Sequence, residues 1–304
     1  MFSSLNARAT GLPLSAVETI ELAARHGFGG VDLLVRDVVD SGLDLDALRR
    51  RIEDAGLRGG AWPLPVHWRG SAAEFARDLA RLPRLAAAAA ALGLTRTGTW
   101  ITPETPEIVA GLSNSAARHS ATVRLHVDRL GAIARVLDSQ GVRLGLEVIG
   151  VASARSGRGE PFIHRLADLD QVLGDVWLEA PNLGIVVDGF HLYAAGEPME
   201  AALTWGVRQV VWVHVADLPR SAPPDRFAIC DHERGLPGDH PVVPTAALLR
   251  HLAAAGYDGP VTPEPMPGCQ ALAGLAPEQA VRRLAEAVHA VWPDPPPGPL
   301  PTSR

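Results

Sequence analysis

The sequence predicts an α/β fold, a single-domain (β/α)8 TIM barrel, and three observations lead to this prediction. Strand-like apolar segments alternate with helix-like segments along the chain of 304 residues. The alternation gives about eight units, each long enough for one strand, one helix and their loops. Four apolar runs in the second half also end in one ionisable residue, as buried parallel strands do when they deliver side chains to a barrel rim.

The first half of the chain supplies four of these units. The predicted strands cover residues 2–5, 30–34, 59–64 and 95–101. The first predicted helix follows the capping-box pattern of Ser15 and Glu18 and ends at Gly27. Further helices are predicted over residues 45–55 and 72–92, with Pro83 as a break or kink in the latter.

The second half continues the alternation. Its predicted strands cover residues 142–149, 183–188, 209–215 and 259–264. Its predicted helices cover residues 117–140, 164–173, 198–205, 245–255 and 277–291. A doubly wound sheet would need a phosphate loop or a dinucleotide fingerprint, and the sequence contains neither. We therefore expect a barrel domain over residues 1–292 and a proline-rich C-terminal tail over residues 293–304.

The composition argues against several classes of partner. The net charge is −6 and no basic stripe occurs, which disfavours nucleic acid. No stretch of about 18 uninterrupted apolar residues occurs, and the N-terminus lacks the pattern of a signal peptide. The cysteines Cys230 and Cys269 lack zinc-ligand spacing. We expect a cytoplasmic protein that acts on a small molecule and binds neither nucleic acid nor membranes.

One ionisable residue ends each of the four predicted strands in the second half. These residues are Glu147, Asp188, His214 and Glu264. All strands of a barrel end on the same side, so the four side chains should converge at one rim. Each alone could be a helix N-cap or a core histidine, but four in succession disfavour that explanation. Three carboxylates and one imidazole suit Mn²⁺, Co²⁺ or Mg²⁺, with Zn²⁺ as a further candidate.

Several short motifs share their order and spacing with one large family. They are Gly27-Phe28-Gly29-Gly30-Val31-Asp32-Leu33, Leu146-Glu147, Asp188-Gly189-Phe190-His191, Val213-His214-Val215-Ala216-Asp217, Leu236-Pro237-Gly238-Asp239 and Gly256-Tyr257-Asp258-Gly259-Pro260-Val261-Thr262-Pro263-Glu264. In these motifs the chain resembles the xylose isomerase-like TIM-barrel superfamily, in particular its sugar phosphate isomerase/epimerase family. The resemblance spans essentially the whole barrel.

The resemblance implies a function and assigns roles to particular residues. Glu147, Asp188, His214 and Glu264 match metal ligands, Glu147 and Glu264 match the acid/base pair of epimerases, and His191 and Arg220 match substrate contacts. The implied reaction is proton transfer through an enediolate that a divalent metal ion stabilises. We therefore expect a metal-dependent isomerase or epimerase of a sugar or polyhydroxy ketone. Relatives are often dimers or tetramers, so a homo-oligomer is one expectation.

Residues outside the ligand set are weaker candidates for substrate binding. Arg155 follows the fifth predicted strand and could bind a carboxylate, a phosphate or a sugar hydroxyl, or belong to a solvated loop. Trp62 and His67 follow the third strand, where an aromatic rim could stack on a sugar ring or pack within its loop. Ser153, and Asp239-His240 in the Pro237-Gly238 turn, differ from the epimerase pattern near the expected substrate, which speaks against a simple ketohexose epimerase.

Three alternative functions share this scaffold. The first is a lyase, either of the 3-dehydroshikimate dehydratase type or one that acts on 3-keto-glycosides by elimination. It would use the same metal ligands, but its product would be lighter than its substrate. The second is an apurinic-site endonuclease, which would need further histidines on the earlier strands. The third is a binding subunit without catalysis, which retention of all four ligand types disfavours.

Overall fold

Nine parallel strands form the wall of a nearly closed barrel in the computed structural model, which describes residues 1–169, 174 and 180–293. The strands are β1 Phe2–Asn6, β2 Gly30–Asp32, β3 Arg58–Gly59, β4 Ala61–Pro63, β5 Arg96–Trp100, β6 Arg143–Glu147, β7 Leu183–Asp188, β8 Val210–Val215 and β9 Pro260–Pro263. Their order in the sheet is β3-β2-β1-β9-β8-β7-β6-β5-β4. The structure confirms the predicted single-domain (β/α)8 barrel.

Strands β3 and β4 occupy one position of the barrel, because Gly60 alone separates them. β3 pairs with β2, whereas β4 pairs with β5. The Gly60 N–H donates to the carbonyl of Val31 at 2.8 Å, which continues the ladder across the gap. A Cβ atom at position 60 would collide with the side chains of Asp32 and Ser4, so only glycine fits here. The nine strands therefore fill eight barrel positions.

The described residues contain eight α-helices, most of which pack around the barrel. They are α1 Ala16–Arg25, α2 Val35–Asp40, α3 Leu45–Asp54, α4 Ala72–Ala91, α5 Ser115–Asp138, α6 Gly189–Ala195, α7 Thr245–Ala254 and α8 Pro277–Val291. The predicted capping box is present, with the Ser15 side chain and Glu18 each bonded to the other's backbone N–H. Amphipathic faces on these helices supply the hydrophobic core between the helices and the strands.

Several helix predictions differ from the structure. Helix α4 runs through Pro83 without a break, and its buried residues on both sides, such as Leu82 and Leu85, keep it packed on the barrel. The predicted helix over residues 198–205 is the 3-10 helix Met199–Leu203. The described part of the predicted helix over residues 164–173 holds the 3-10 turn Leu166–Asp168, and residues 170–173 lie outside the described residues. Most of the predicted tail, residues 294–304, also lies outside them.

Small residues inside the barrel set the direction of the side chains at its mouth. Ala61, Val186 and Trp212 form an interior cluster. A Cβ atom on Gly98 would lie 2.8 Å from Cγ2 of Val186, and one on Gly145 would lie 2.7 Å from the same atom, so both glycines face this cluster. Side chains alternate along a strand, so the residue two positions further on faces the same way. Because of this alternation, the side chains at the ends of β5 to β8 point into the barrel mouth.

No helix among the described residues is long and apolar enough to cross a membrane.

Candidate metal centre

Four adjacent strands, β6 to β9, each bring one ionisable side chain to the mouth. Glu147 ends β6, Asp188 ends β7, His214 is the penultimate residue of β8, and Glu264 directly follows β9. Asp188 and His214 are partners in the β7–β8 register. One potential ligand atom from each residue lies within 4.8 Å of the others. The convergence expected from the strand pattern is therefore present in the structure.

His214 lies between the two glutamates. Its Nδ1 is 2.9 Å from Oε1 of Glu147 and 3.3 Å from Oε2 of Glu264. Burial alone would lower the pKa of His214, but the charges of Glu264 and Glu147 raise that pKa well above its usual value. Burial raises the pKa of Glu147, whereas in Glu264 the neighbouring His214 and Arg234 outweigh burial and lower the pKa. A proton on His214 thus balances part of the carboxylate charge.

Asp188 is held on both of its carboxylate oxygens. As the N-cap of α6, its Oδ1 accepts from the backbone N–H of Phe190 at 2.7 Å and of His191 at 3.4 Å. Its Oδ2 accepts from Nη1 of Arg234 at 2.8 Å. Burial would raise the pKa of Asp188, but the positive charge of Arg234 outweighs it and lowers the pKa to about 2. The Asp188 carboxylate is therefore ionised and fixed in orientation.

Arg234 is a part of the site that the sequence analysis missed. It is only 3% exposed, and its Nη1 donates to Asp188 and, at 3.1 Å, to Oε2 of Glu264. Its Nη2 donates to Oδ1 of Asp231 at 2.6 Å, and the guanidinium lies 4.5 Å from the ring centre of Phe190. Burial opposes its charge, but Asp188 and Glu264 raise the pKa of Arg234 further above its usual value. The site therefore contains a permanent cation beside the ligand carboxylates.

The long connection between β8 and α7 explains why Arg234 was missed. The family resemblance points instead to Arg220, which lies closer to His214 along the chain. In the structure Arg220 is exposed and its Nη2 donates to the carbonyl of Asp239 at 3.1 Å, with no bond to the four ligands among the described residues. Arg234 lies on the same long connection, and no pattern in the surrounding sequence distinguishes it from the other arginines there.

His191 lies beside the ligand cluster, as the motif suggested. It is buried at 4% exposure, and its Nε2 is 3.1 Å from Nη2 of Arg234 and 3.8 Å from Oδ2 of Asp188. Oδ1 of Asp231 lies 3.5 Å from the same Nε2 atom. Its Nδ1 is buried and has no hydrogen-bond partner within the described part of the chain. Its role in substrate binding remains a prediction.

The remaining predicted substrate contacts lie in different places. Trp62 is fully buried, and its Nε1 donates to the carbonyl of Leu94 at 3.0 Å, so it belongs to the core and not to the rim. Side chains alternate along a strand, and Ala61 faces the barrel interior, so the neighbouring Trp62 points outward into the core between the strands and the helices. The His67 side chain is 59% exposed and lies 3.7 Å from Glu74. Arg155 is half-buried, and its Nη1 lacks a partner among the described residues.

A buried hydrogen-bond network supports His214 from below. Asp32, at the end of β2, accepts from Oγ of Ser4 at 2.6 Å and from Oγ1 of Thr262 at 2.5 Å. Thr262 in turn accepts from Nε1 of Trp212 at 2.8 Å, and the Trp212 ring meets the His214 ring edge-on at 4.4 Å. Burial raises the pKa of Asp32. The network links the floor of the mouth to the imidazole.

The donor set of the four residues fits a divalent metal ion. Three carboxylates and an imidazole are the ligand types that Mn²⁺, Mg²⁺ and Zn²⁺ accept in proteins. In its present form the cluster needs the charge of Arg234 and a proton on His214 to offset the carboxylates. A divalent cation would compete with that proton, since metal ligands bind in their deprotonated forms.

The fold and the donor set together define a (β/α)8 barrel with a candidate metal centre at the carboxyl ends of its strands. The family model of the xylose isomerase-like TIM barrel matches residues 20–289, and the chain belongs to this family. No curated protein matches the chain.

Solved structures with the same fold include proteins of several kinds. A xylose isomerase domain protein from Alicyclobacillus acidocaldarius is 26% identical, with a TM-score of 0.78, and the match covers 95% of this chain and 97% of that one. The IOLI protein, solved with a bound zinc atom, is 17% identical, with a TM-score of 0.74 and coverage of 96% and 98%. The 3-keto-D-glucoside 4-epimerase YcjR from E. coli is 18% identical, with a TM-score of 0.68 and coverage of 95% and 97%. The similarity to the IOLI protein and to the 3-keto-D-glucoside 4-epimerase shows that the three proteins share a fold.

Proposed function

We propose that the chain is a divalent-metal-dependent isomerase or epimerase of a sugar or related hydroxy-carbonyl compound. The observation that carries this proposal is the convergence of Glu147, Asp188, His214 and Glu264 within 4.8 Å at the barrel mouth. Family membership and the likeness to a 3-keto-D-glucoside epimerase support the reaction class. The zinc in the IOLI protein supports a metal in this fold.

The four converging residues would hold the ion. When bound, a divalent ion supplies Lewis-acid stabilisation of negative charge on the oxygens of a hydroxy-carbonyl group. Asp188 is the most firmly held member of the set, because backbone N–H groups and Arg234 fix both of its oxygens. His214 is held by the Trp212 ring beside it.

Glu147 and Glu264 are placed to move protons. Glu147 ends β6 and Glu264 follows β9, the two outer strands of the row of four, so they approach a substrate above β7 and β8 from opposite sides. One carboxylate can remove a proton from the carbon next to a carbonyl, and the other can return a proton to the opposite face. Such a two-base arrangement inverts one stereocentre or shifts the carbonyl to the neighbouring carbon.

The imidazole of His191 beside the ligands is placed to hold a substrate oxygen. Its unpartnered Nδ1 can accept or donate a hydrogen bond, while Arg234, whose N–H groups are bonded to Asp188, Glu264, Asp231 and His191, keeps the surrounding side chains in position. Both side chains are buried, so their geometry is set before substrate arrives. Arg155, Arg220 and His67 remain candidates for contacts with outer parts of the substrate.

The first test is the metal content of the purified protein. We expect about one divalent ion per chain in the wild type and a loss of this ion in Glu147→Ala and His214→Ala. Glu53→Ala is the matched control, because Glu53 is an exposed carboxylate that pairs with Arg49 on α3. A wild-type protein that binds no divalent ion from metal-replete buffer would refute the proposal.

The second test identifies the reaction. The metal-loaded protein is incubated with a panel of keto-sugars, and the products are analysed by mass spectrometry and NMR. Isomers that keep the mass of the substrate support the proposal, and their formation should stop in Glu147→Gln and Glu264→Gln. A product that has lost water identifies a lyase instead.

A further inference from the structure

The half of the mouth that carries no metal ligand contains an exposed aromatic ring. Trp100 ends β5, pairs in register with Glu147 of β6, and is 42% exposed. Both residues lie two positions after the inward-facing glycines Gly98 and Gly145, so their side chains point to the same side of the sheet. Adjacent strands lie about 4.8 Å apart, which makes Trp100 a direct neighbour of a candidate metal ligand.

A guanidinium group lies over this ring. The Cζ atom of Arg69 is 3.4 Å from the centre of the Trp100 ring and 4.9 Å from that of Trp68. Its Nη1 donates to the carbonyl of Trp100 at 2.7 Å and lies 3.4 Å from the hydroxyl of Thr99. Arg69 belongs to the loop between β4 and α4, so these contacts tie that loop to the end of β5.

Arg69 has no anionic partner. No carboxylate in residues 1–169, 174 and 180–293 lies within ion-pair distance of its guanidinium. Nearby His126 is neutral near pH 7, because burial lowers its pKa to about 4. Burial lowers the pKa of Arg69 to about 10, which still leaves it charged. A half-buried cation without a counter-ion is unfavourable, so the site is incomplete as it stands.

The free donors of Arg69 distinguish it from an arginine with a structural role. Arg129 lies nearby and donates from Nη1 to the loop carbonyls of Trp68 and Gly70, at 2.5 and 2.6 Å. The Nε and Nη2 groups of Arg69, in contrast, make no hydrogen bond to any described residue, and neither is fully enclosed by protein. Two N–H groups on one edge of a guanidinium match the two oxygens of an oxyanion.

We propose that Arg69, stacked on Trp100, binds an anionic group of the substrate, a carboxylate or a phosphate, at the side of the mouth next to Glu147. The inference rests on the proposed function and narrows its substrate class to sugar acids and sugar phosphates. The hydroxy-carbonyl end of such a substrate would lie over the metal centre, and its acidic end would lie against the guanidinium.

The test uses two small anions as probes of the metal-loaded protein. Inorganic phosphate and acetate are titrated separately into protein loaded with Mg²⁺, at constant ionic strength, and binding is measured by calorimetry. Wild type is compared with Arg69→Gln, Arg69→Lys and the control Arg49→Gln. Arg69→Lys keeps the positive charge but lacks the paired N–H groups of a guanidinium. Arg49 is an exposed arginine on α3 that pairs with Glu53.

We expect one of the anions to bind the wild type and Arg49→Gln at least tenfold more tightly than Arg69→Gln, with Arg69→Lys in between. The anion that shows the larger difference identifies the acidic group as a phosphate or a carboxylate. Equal binding by wild type and Arg69→Gln, or no binding by either, would overturn the inference. If Arg69→Gln does not fold, as judged by circular dichroism, unchanged binding by Arg69→Lys overturns it.

Metal analysis of the same samples separates the two proposals. Arg69→Gln should retain the metal of the wild type, because Arg69 makes no contact with the four ligands among the described residues. A wild type without metal that still loses anion binding in Arg69→Gln would refute the proposed function and leave the anion subsite standing. A wild type that binds metal but binds the anions no more tightly than Arg69→Gln would refute the anion subsite and leave the proposed function standing.

Discussion

The Nδ1 atom of His214 lies 2.9 Å from Oε1 of Glu147, although β7 stands between the strands that carry these residues. Glu147 is in register with Val186 of β7, and His214 is in register with Asp188, so the contact crosses the end of β7. It places the only imidazole of the four-residue ligand set between carboxylates, and in this arrangement a proton and a metal ion compete for the same cluster.

Metal binding should stabilise the folded protein. The buried carboxylates Glu147, Asp188 and Glu264 repel one another unless cations offset them, so an ion that binds the folded state selectively raises the free energy of unfolding. At 100 times the dissociation constant the gain is about 2.7 kcal/mol. We expect Mn²⁺ to raise the Tm of EDTA-treated wild type by several degrees. His214→Ala should show a much smaller rise, and equal rises in the two proteins would contradict the assignment.

Removal of the Arg234 charge should destabilise the metal-free protein. Its guanidinium bonds both Asp188 and Glu264 while being only 3% exposed, so Arg234→Leu leaves buried carboxylates uncompensated. The expected loss is about 3–5 kcal/mol in urea unfolding. Arg234→Lys should lose less because it keeps the charge. A divalent ion should reduce the deficit of Arg234→Leu, and a loss below about 0.5 kcal/mol would show that the ion pairs contribute little.

Stability should fall with acid because of His126. In the unfolded chain this side chain binds a proton as the pH falls through about 6.5, whereas burial lowers the pKa of the folded form to about 4. The folded state therefore loses stability between these two values, by about 2 kcal/mol from pH 7 to pH 5. The free energy of unfolding, measured in urea at both pH values, should fall less in His126→Gln than in the wild type. His67→Gln, at an exposed histidine, should show the full loss, and identical losses in all three proteins would contradict the prediction.

The buried position of Trp62 predicts a structural effect without a catalytic one. Trp62→Phe removes the bond to the Leu94 carbonyl and leaves space in the core, at an expected loss of about 1–3 kcal/mol in the free energy of unfolding. Metal content and anion binding should equal those of the wild type. Reduced turnover with unchanged stability would instead return Trp62 to the list of substrate contacts.

The ends of the later strands could be predicted because each apolar run stops at one ionisable residue. Strands β7 and β8 are buried along their whole length, so the change from apolar to charged marks the exit from the barrel wall. Trp62 shows where this reasoning fails. Its strand is interrupted at Gly60, and both Ala61 and Trp62 are buried, so hydrophobicity alone does not tell which one faces the barrel interior.

Contacts made by long loops could not be predicted from spacing. Arg234 reaches Asp188 across 46 positions of sequence, and nothing in the local pattern fixes the path of the chain between β8 and α7. Arg69 was overlooked for a similar reason, because its importance depends on stacking against Trp100, 31 residues away. Helix α6 was missed because its seven residues are too few for a helical period to stand out.

The interior cluster of Ala61, Val186 and Trp212 determines what a bound molecule would meet below the candidate metal centre. Glycines at positions 98 and 145 leave room for these side chains inside the barrel, so the surface under the centre is largely apolar. The side chains of Ala61 and Val186 offer no hydrogen bonds, so the oxygens of a substrate would have to bind to the ligand set and to the loops around the mouth.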